Sequence, residues 1–152
     1  MIHNARKLLR SGLVLRWHQN PDMSGCRETN AEHQWSVAML VLTMEPEASR
    51  DLLIAALTHD AGEIDVGDLA FTSAAPEGYR EMERDARAAL IDIPELSPRE
   101  HMILAAADRI SAYHKMMQWN PSLAAKDDRW TEMLHHTLHN LPREIRERVY
   151  DI

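Results

Sequence analysis

Two histidines and two aspartates, His33, His59, Asp60 and Asp108, stand where a polar side chain needs a partner. His59 and Asp60 follow the apolar run LLIAAL. Its Leu52, Leu53, Ala56 and Leu57 share a helical face, so the pair sits one turn beyond a buried stripe. Asp108 lies inside ILAAADRI, where a carboxylate among alanine, leucine and isoleucine is costly unless it is paired or ligates a metal. His33 falls in the first turn of a helix that continues as VAMLVL. Brought together from three helices, two imidazole nitrogens and two carboxylates would form a mixed N/O site. Such a site suits Mn²⁺, Fe²⁺, Co²⁺, Ni²⁺ or Zn²⁺ and leaves coordination positions for water and substrate. The same residues could instead form an ordinary buried polar network, and a lone His-Asp dipeptide is a common chance match in a chain with nine histidines.

The elements that must position these groups read as helices throughout, with no convincing strand pair. A first helix is expected over residues 4–10, ended by Gly12, followed by an irregular stretch containing Pro21 and Gly25. Thr29 and Glu32 form a capping box that opens a second helix, AEHQWSVAMLVLTM. Ser49 caps a third, expected to run on through LLIAALTHDAG. After the turn-rich GDLAFTSAAPEG comes a fourth, YREMERDARAAL. SPRE at 97–100 combines a serine cap, a proline at the first helical position and a glutamate at the third. It opens the long helix EHMILAAADRISAYHKMMQW. NPSLAAKDDRW is expected as a break, and TEMLHHTLHNL and PREIRERVY supply the last one or two helices. The expectation is an all-α, single-domain bundle of about six or seven helices spanning residues 1–152.

Composition narrows the function. The 152 residues can bury a core without staples. A single cysteine, Cys26, excludes an internal disulfide framework and fits a reducing compartment. The opening MIHNARKLLR has no apolar block of a secretory leader, and no apolar run approaches the roughly 18 residues of a membrane span. A cytoplasmic protein with no membrane partner is expected. The net charge of −7, without a dense Lys/Arg cluster, argues against nucleic acid and favours a small anionic ligand met by locally gathered positive charge.

The spaced motifs RW at 16–17, RETNAEH at 27–33, HDAGEIDVGD at 59–68 and ADRISAY at 107–113 resemble those of the HD-domain metal-dependent phosphohydrolases. Their order and spacing are similar to the bacterial deoxyribonucleoside 5′-nucleotidase branch over roughly residues 8–117. RWH and TNAEH also resemble stretches of the small phage dATP triphosphohydrolases that accompany diaminopurine-containing genomes. The resemblance implies a compact HD-domain bundle and a divalent ion (Co, Mn, Zn, Ni or Mg) held by His33, His59, Asp60 and Asp108. It makes Glu63 the group that orients or deprotonates the attacking water, and Asp68 one that contacts the deoxyribose or steadies the site. It makes Arg16 a phosphate ligand and Trp17 a residue packed on the nucleoside. Trp17 reads equally well as core. Arg27 reads as a phosphate or structural arginine, and Asp68 also as a turn aspartate after Gly67.

The activity so implied is hydrolysis of a small deoxynucleotide, with dATP triphosphohydrolase first and deoxyribonucleoside 5′-monophosphatase second. A catalytically silent nucleotide sensor comes third. A homo-oligomer, dimer or hexamer, is implied too, in the host cytoplasm if the chain is phage-encoded. One departure matters: Ala70 stands where both related groups carry a proline, and no lysine follows. Arg80 or Arg84 is the expected replacement for that charge. His135, His136 and His139 have metal-compatible helical spacing but read as a helix surface or oligomer contact. Asp65 reads as solvated charge, and the nine methionines as core filler.

Overall fold

The computed structural model describes residues 1–69 and 73–149. Ala70, and the other residues at 71–72 and 150–152, lie outside that description. Among the described residues the architecture is helical: α1 (Ala5–Ser11), α2 (Asn30–Met44), α3 (Arg50–Ala56), α4 (Glu63–Val66), α5 (Tyr79–Ala88), α6 (Pro98–Trp119), α7 (Leu123–Lys126), α8 (Asp128–Asn140) and α9 (Arg143–Val149), with a 3₁₀ turn at Pro21–Met23. None of these helices is long and apolar enough to cross a membrane. Extended pairing is limited, among the described residues, to two isolated bridges, Ile2 with Ile91 and Leu15 with Thr29.

Local chemistry explains the helix starts. The Thr29 hydroxyl accepts the Glu32 N–H while Glu32 accepts from the Thr29 N–H, and Ser97 and Glu100 repeat this arrangement at α6 behind Pro98. Both capping boxes thus form where the sequence places them. Two differences enlarge the helix count, and both are single-turn helices. The first arises because α3 stops at Ala56 instead of running through the HD segment. Thr58 Oγ1 donates back to the Ile54 carbonyl at 2.7 Å, and the chain continues in tight i→i+3 turns, including Glu63 N–H to the Asp60 carbonyl at 3.0 Å. The second, α7, sits inside the expected break. The Asp127 carboxylate then caps α8 by accepting the Arg129 N–H, so α8 starts three residues earlier than TEMLHHTLHNL.

α2 and α6 form the spine. Val37, Val41 and Met44 of α2 pack with Leu52 and Ala56 of α3 and with Ile103, Ala107 and Ile110 of α6; Ile145 and Val149 of α9 close this core. A second cluster lies further along α6, where Met116 meets Trp17, Met23, Leu123 and Trp130. Asp108 lies on α6 among residues of the first cluster, with Ala107 before it and Ile110 after it, so apolar packing of the helix fixes where its part-exposed carboxylate stands.

Candidate metal centre

The first turn of α2 carries His33, fully buried, and its Nε2 points at Asp108 Oδ1 on α6, 3.0 Å away. The turns after α3 bring His59 and Asp60 to the same point. His59 Nε2 lies 3.3 Å from His33 Nε2, 3.3 Å from Asp60 Oδ2 and 3.8 Å from Asp108 Oδ1, while His33 Nε2 is 3.6 Å from Asp60 Oδ2. The structure therefore brings the four expected residues together: His33, His59 and Asp60 group with donor atoms within 4.8 Å of one another, and Asp108 contacts both histidines.

Whether a cation belongs there is decided by donor chemistry. His59 Nδ1 lies 2.9 Å from the Ala56 carbonyl oxygen, which can only accept, so Nδ1 carries the proton. A neutral His59 then turns its Nε2 lone pair toward His33 and two carboxylates. Four electron-pair donors facing one another need a positive charge between them, either protons or a metal ion. The charges of the cluster shift its pKa values accordingly. Burial pulls the His59 imidazolium down, but Asp60 and Asp108 overcome it and push its pKa up to about 9. Burial likewise works against the charged forms of Asp108 and Asp60, yet the histidines hold Asp108 well below the usual carboxylate range, and His59 with Arg16 lowers Asp60. The residues fit a divalent cation, with Ser111 Oγ 3.3 Å from His33 Nδ1 as a supporting contact.

Glu63 opens α4 one turn beyond Asp60 and is buried. Asn30, fully buried at the start of α2, donates its amide to Glu63 Oε2 at 2.8 Å and to the Asp60 carbonyl at 3.3 Å. Burial and the neighbouring Asp60 charge push the Glu63 carboxyl up to about 9, against the opposing pull of Arg16. At neutral pH that carboxyl keeps its proton, and a cation beside it would lower its pKa and free the carboxylate to accept one.

Arg16 is largely covered against this cluster, with Nη1 2.5 Å from Asp60 Oδ2 and Nε 3.6 Å from Glu28 Oε2. The following residue, Trp17, has φ of 70°, a left-handed backbone uncommon for a bulky side chain. Two contacts hold it there: its backbone N–H donates to Asp68 Oδ2 at 2.7 Å and its indole N–H to Glu28 Oε2 at 2.7 Å. The ring packs in the second core cluster, 5.8 Å from Trp130, and Trp17 also lines the pocket. Asp68 thus ties the loop bearing Arg16 to the segment after α4. Arg27 is not brought to this pocket; it is exposed and lines a separate depression with Cys26 and His18.

A family model described as an HD domain matches residues 9–151. The chain belongs to the HD-domain family. HD domains are generally metal-dependent phosphohydrolases, and the His/Asp cluster has the donors for that metal. Comparison with curated proteins gives no match to the chain.

The pocket of this HD domain encloses about 250 Å³, with Asp60, Glu63, Asp68 and Asp108 in its lining alongside Arg16 and Tyr79. Reading motifs did not find Glu83, whose carboxylate groups with Asp60 and Glu63 with donor atoms within 4.8 Å of one another. It arrives because Gly62 lets α5 lie directly on the HD turn. A Cβ on Gly62 would come 2.0 Å from the Glu83 carbonyl oxygen. Glu83 sits in YREMERDARAAL, where charge is expected on any solvated helix, so its sequence gives no signal. Asn30 and Glu28, inside RETNAEH, were equally silent beside the capping box. Of the two arginines considered for the missing lysine, Arg80 lines the pocket, whereas Arg84 is exposed beside Glu81 and Asp85. His135, His136 and His139 lie on the exposed face of α8, His136 Nε2 being 2.9 Å from the Asn140 amide.

Proposed function

We propose that this HD domain hydrolyses deoxynucleoside triphosphates, dATP first among them, to deoxynucleoside and inorganic triphosphate. The observation that carries the reading is the convergence of His33, His59, Asp60 and Asp108, with Glu63 and Arg16 against the same carboxylate. A divalent ion held by those four residues would supply Lewis acidity at a phosphate oxygen and lower the pKa of water. Asn30 fixes the Glu63 carboxylate in position to receive a proton from the attacking water. Arg16, which lines the pocket while paired with Asp60, would keep a permanent positive charge beside the phosphoryl group. One water adds at the α-phosphorus as the bond to the sugar 5′-oxygen breaks, and that oxygen leaves with a proton. The RWH and TNAEH stretches, similar to those of the phage enzymes, support dATP as the substrate.

A second reading, hydrolysis of deoxynucleoside 5′-monophosphates, draws on the enclosed volume. About 250 Å³ lies at the small end for a ligand pocket, and Arg16 is the one arginine in the lining that is not exposed. Metal-reconstituted protein incubated separately with dATP, dGTP, dCTP, TTP, ATP and dAMP, with products resolved by chromatography and phosphorus NMR, separates the readings. Deoxyadenosine and intact triphosphate from dATP with dAMP untouched support the first. Rapid cleavage of dAMP with triphosphates spared replaces it with the second. No turnover across several metals refutes both.

A further inference from the structure

The pocket poses an electrostatic problem for a polyphosphate. Five carboxylates line it, those of Asp60, Glu63, Asp68, Glu83 and Asp108, against three arginines. Arg16 is occupied internally by Asp60 and Glu28. That leaves Arg80, in the first turn of α5, and Arg109, next to Asp108 on α6, both exposed. Neither makes a hydrogen bond or ion pair with another described residue, whereas Arg84, one turn further on α5, sits beside Glu81 and Asp85 outside the pocket. A pocket volume of about 250 Å³ lies below the usual range for a ligand pocket, so a nucleoside triphosphate bound there would extend to its opening. The part that gains there is the anionic tail, because Arg80 and Arg109 are exposed while the carboxylates of Glu63 and Asp68 are buried.

We infer that Arg80 and Arg109 form a cationic mouth that grips the distal phosphates of a nucleoside triphosphate and so selects triphosphate over monophosphate. This rests on the nucleotide hydrolase reading and names the residues that would give that site its preference. Guanidinium forks suit phosphate oxygens, and two of them on separate helices can engage successive phosphates.

The test is calorimetric titration of metal-loaded protein with inorganic triphosphate and, separately, orthophosphate. It is run on wild type, Arg80→Ala, Arg109→Ala, the double variant and Arg84→Ala. Both target side chains are exposed, so the variants should melt with wild type. Triphosphate affinity should fall about tenfold for each of Arg80 and Arg109 removed, as expected for a charge-assisted contact. Orthophosphate affinity should hold, and Arg84→Ala should bind like wild type. A wild type that does not bind triphosphate overturns the inference, as does a double variant that binds it equally well or an Arg84→Ala loss matching that of Arg80→Ala. Kinetics on the same proteins separates the two claims. Turnover of dATP with a KM unmoved in the double variant overturns the cationic mouth alone. Arginine-dependent triphosphate binding without turnover of any nucleotide upholds the mouth and refutes the hydrolase.

Discussion

Substituting Gly62 by alanine tests how the site is assembled. Gly62 has φ of −67°, which any residue adopts, so backbone strain contributes nothing to the outcome. The added methyl would sit 2.0 Å from the Glu83 carbonyl oxygen and 2.9 Å from its carbon, and contacts under 3.0 Å are essentially never seen. Both obstacles are backbone, so α5 must retreat by about 1 Å or more to restore ordinary packing. That movement stretches the 3.1 Å bond from Arg87 Nη2 to Thr58 Oγ1 and withdraws Glu83 from Asp60 and Glu63. Overpacking at about 1–3 kcal/mol and a lost hydrogen bond near 1 kcal/mol give a destabilisation of about 2–4 kcal/mol. For a chain of this size that is a fall in Tm of roughly 5–12 °C, read by circular dichroism at 222 nm. Alanine at Gly78, where φ is 75° and ψ −4° but the space is open, should cost only the left-handed penalty of about 1–2 kcal/mol. A Gly62→Ala melt within a degree or two of wild type would refute the direct seating of α5 on the HD turn.

Asp60→Ala and His59→Ala should each lose bound divalent metal, measured by mass spectrometry of desalted protein, and turnover with it; retention of stoichiometric metal by either would remove the four-ligand site. Glu63→Gln should keep metal and nucleotide binding while kcat falls by about 10²-fold or more, the usual scale for losing a positioned base, and an unchanged kcat dismisses that role. Trp17→Ala should destabilise by about 3–5 kcal/mol because it empties a core position, so a stable variant with only a raised KM would place the ring on the nucleoside instead. The Glu100 carboxylate is held below its usual pKa by the Ser49 hydroxyl and by the Ser97 backbone N–H. Its contribution is therefore complete above the ordinary carboxylate pKa and is lost as pH falls through the lowered folded value. The Tm difference between wild type and Glu100→Gln should accordingly be present at pH 7 and close toward pH 3, and a gap that widens on acidification contradicts the sign.

The all-helical character, both capping boxes and the need of His59, Asp60 and Asp108 for polar partners were legible in the sequence because each rests on local or repeated signals. Thr29 with Glu32 and Ser97 with Glu100 act over three residues, and His59, Asp60 and Asp108 stand out because polar groups beside apolar helical runs require partners. Where α3 ends was not legible. The apolar period continues through Leu57, and only the side chains of Thr58 and His59 bonding back to the carbonyls of the last turn redirect the chain. Arg84 and Arg80 are indistinguishable by type and neighbourhood, four residues apart on an exposed helix. Which of them meets the pocket depends on how α5 is rotated and seated.

What the sequence determined by itself is therefore the chemistry available: two imidazoles, a set of carboxylates and the helices able to carry them. What only the tertiary structure decided is which carboxylates share a cavity, which arginine is committed to Asp60, and that Trp17 is held in a left-handed backbone by Asp68, fifty-one residues away. The reason is physical. Capping and periodicity are fixed by neighbours along the chain, whereas charge pairing at the site depends on distances set by the packing of α2, α5 and α6. A single missing Cβ at Gly62 is enough to change those distances.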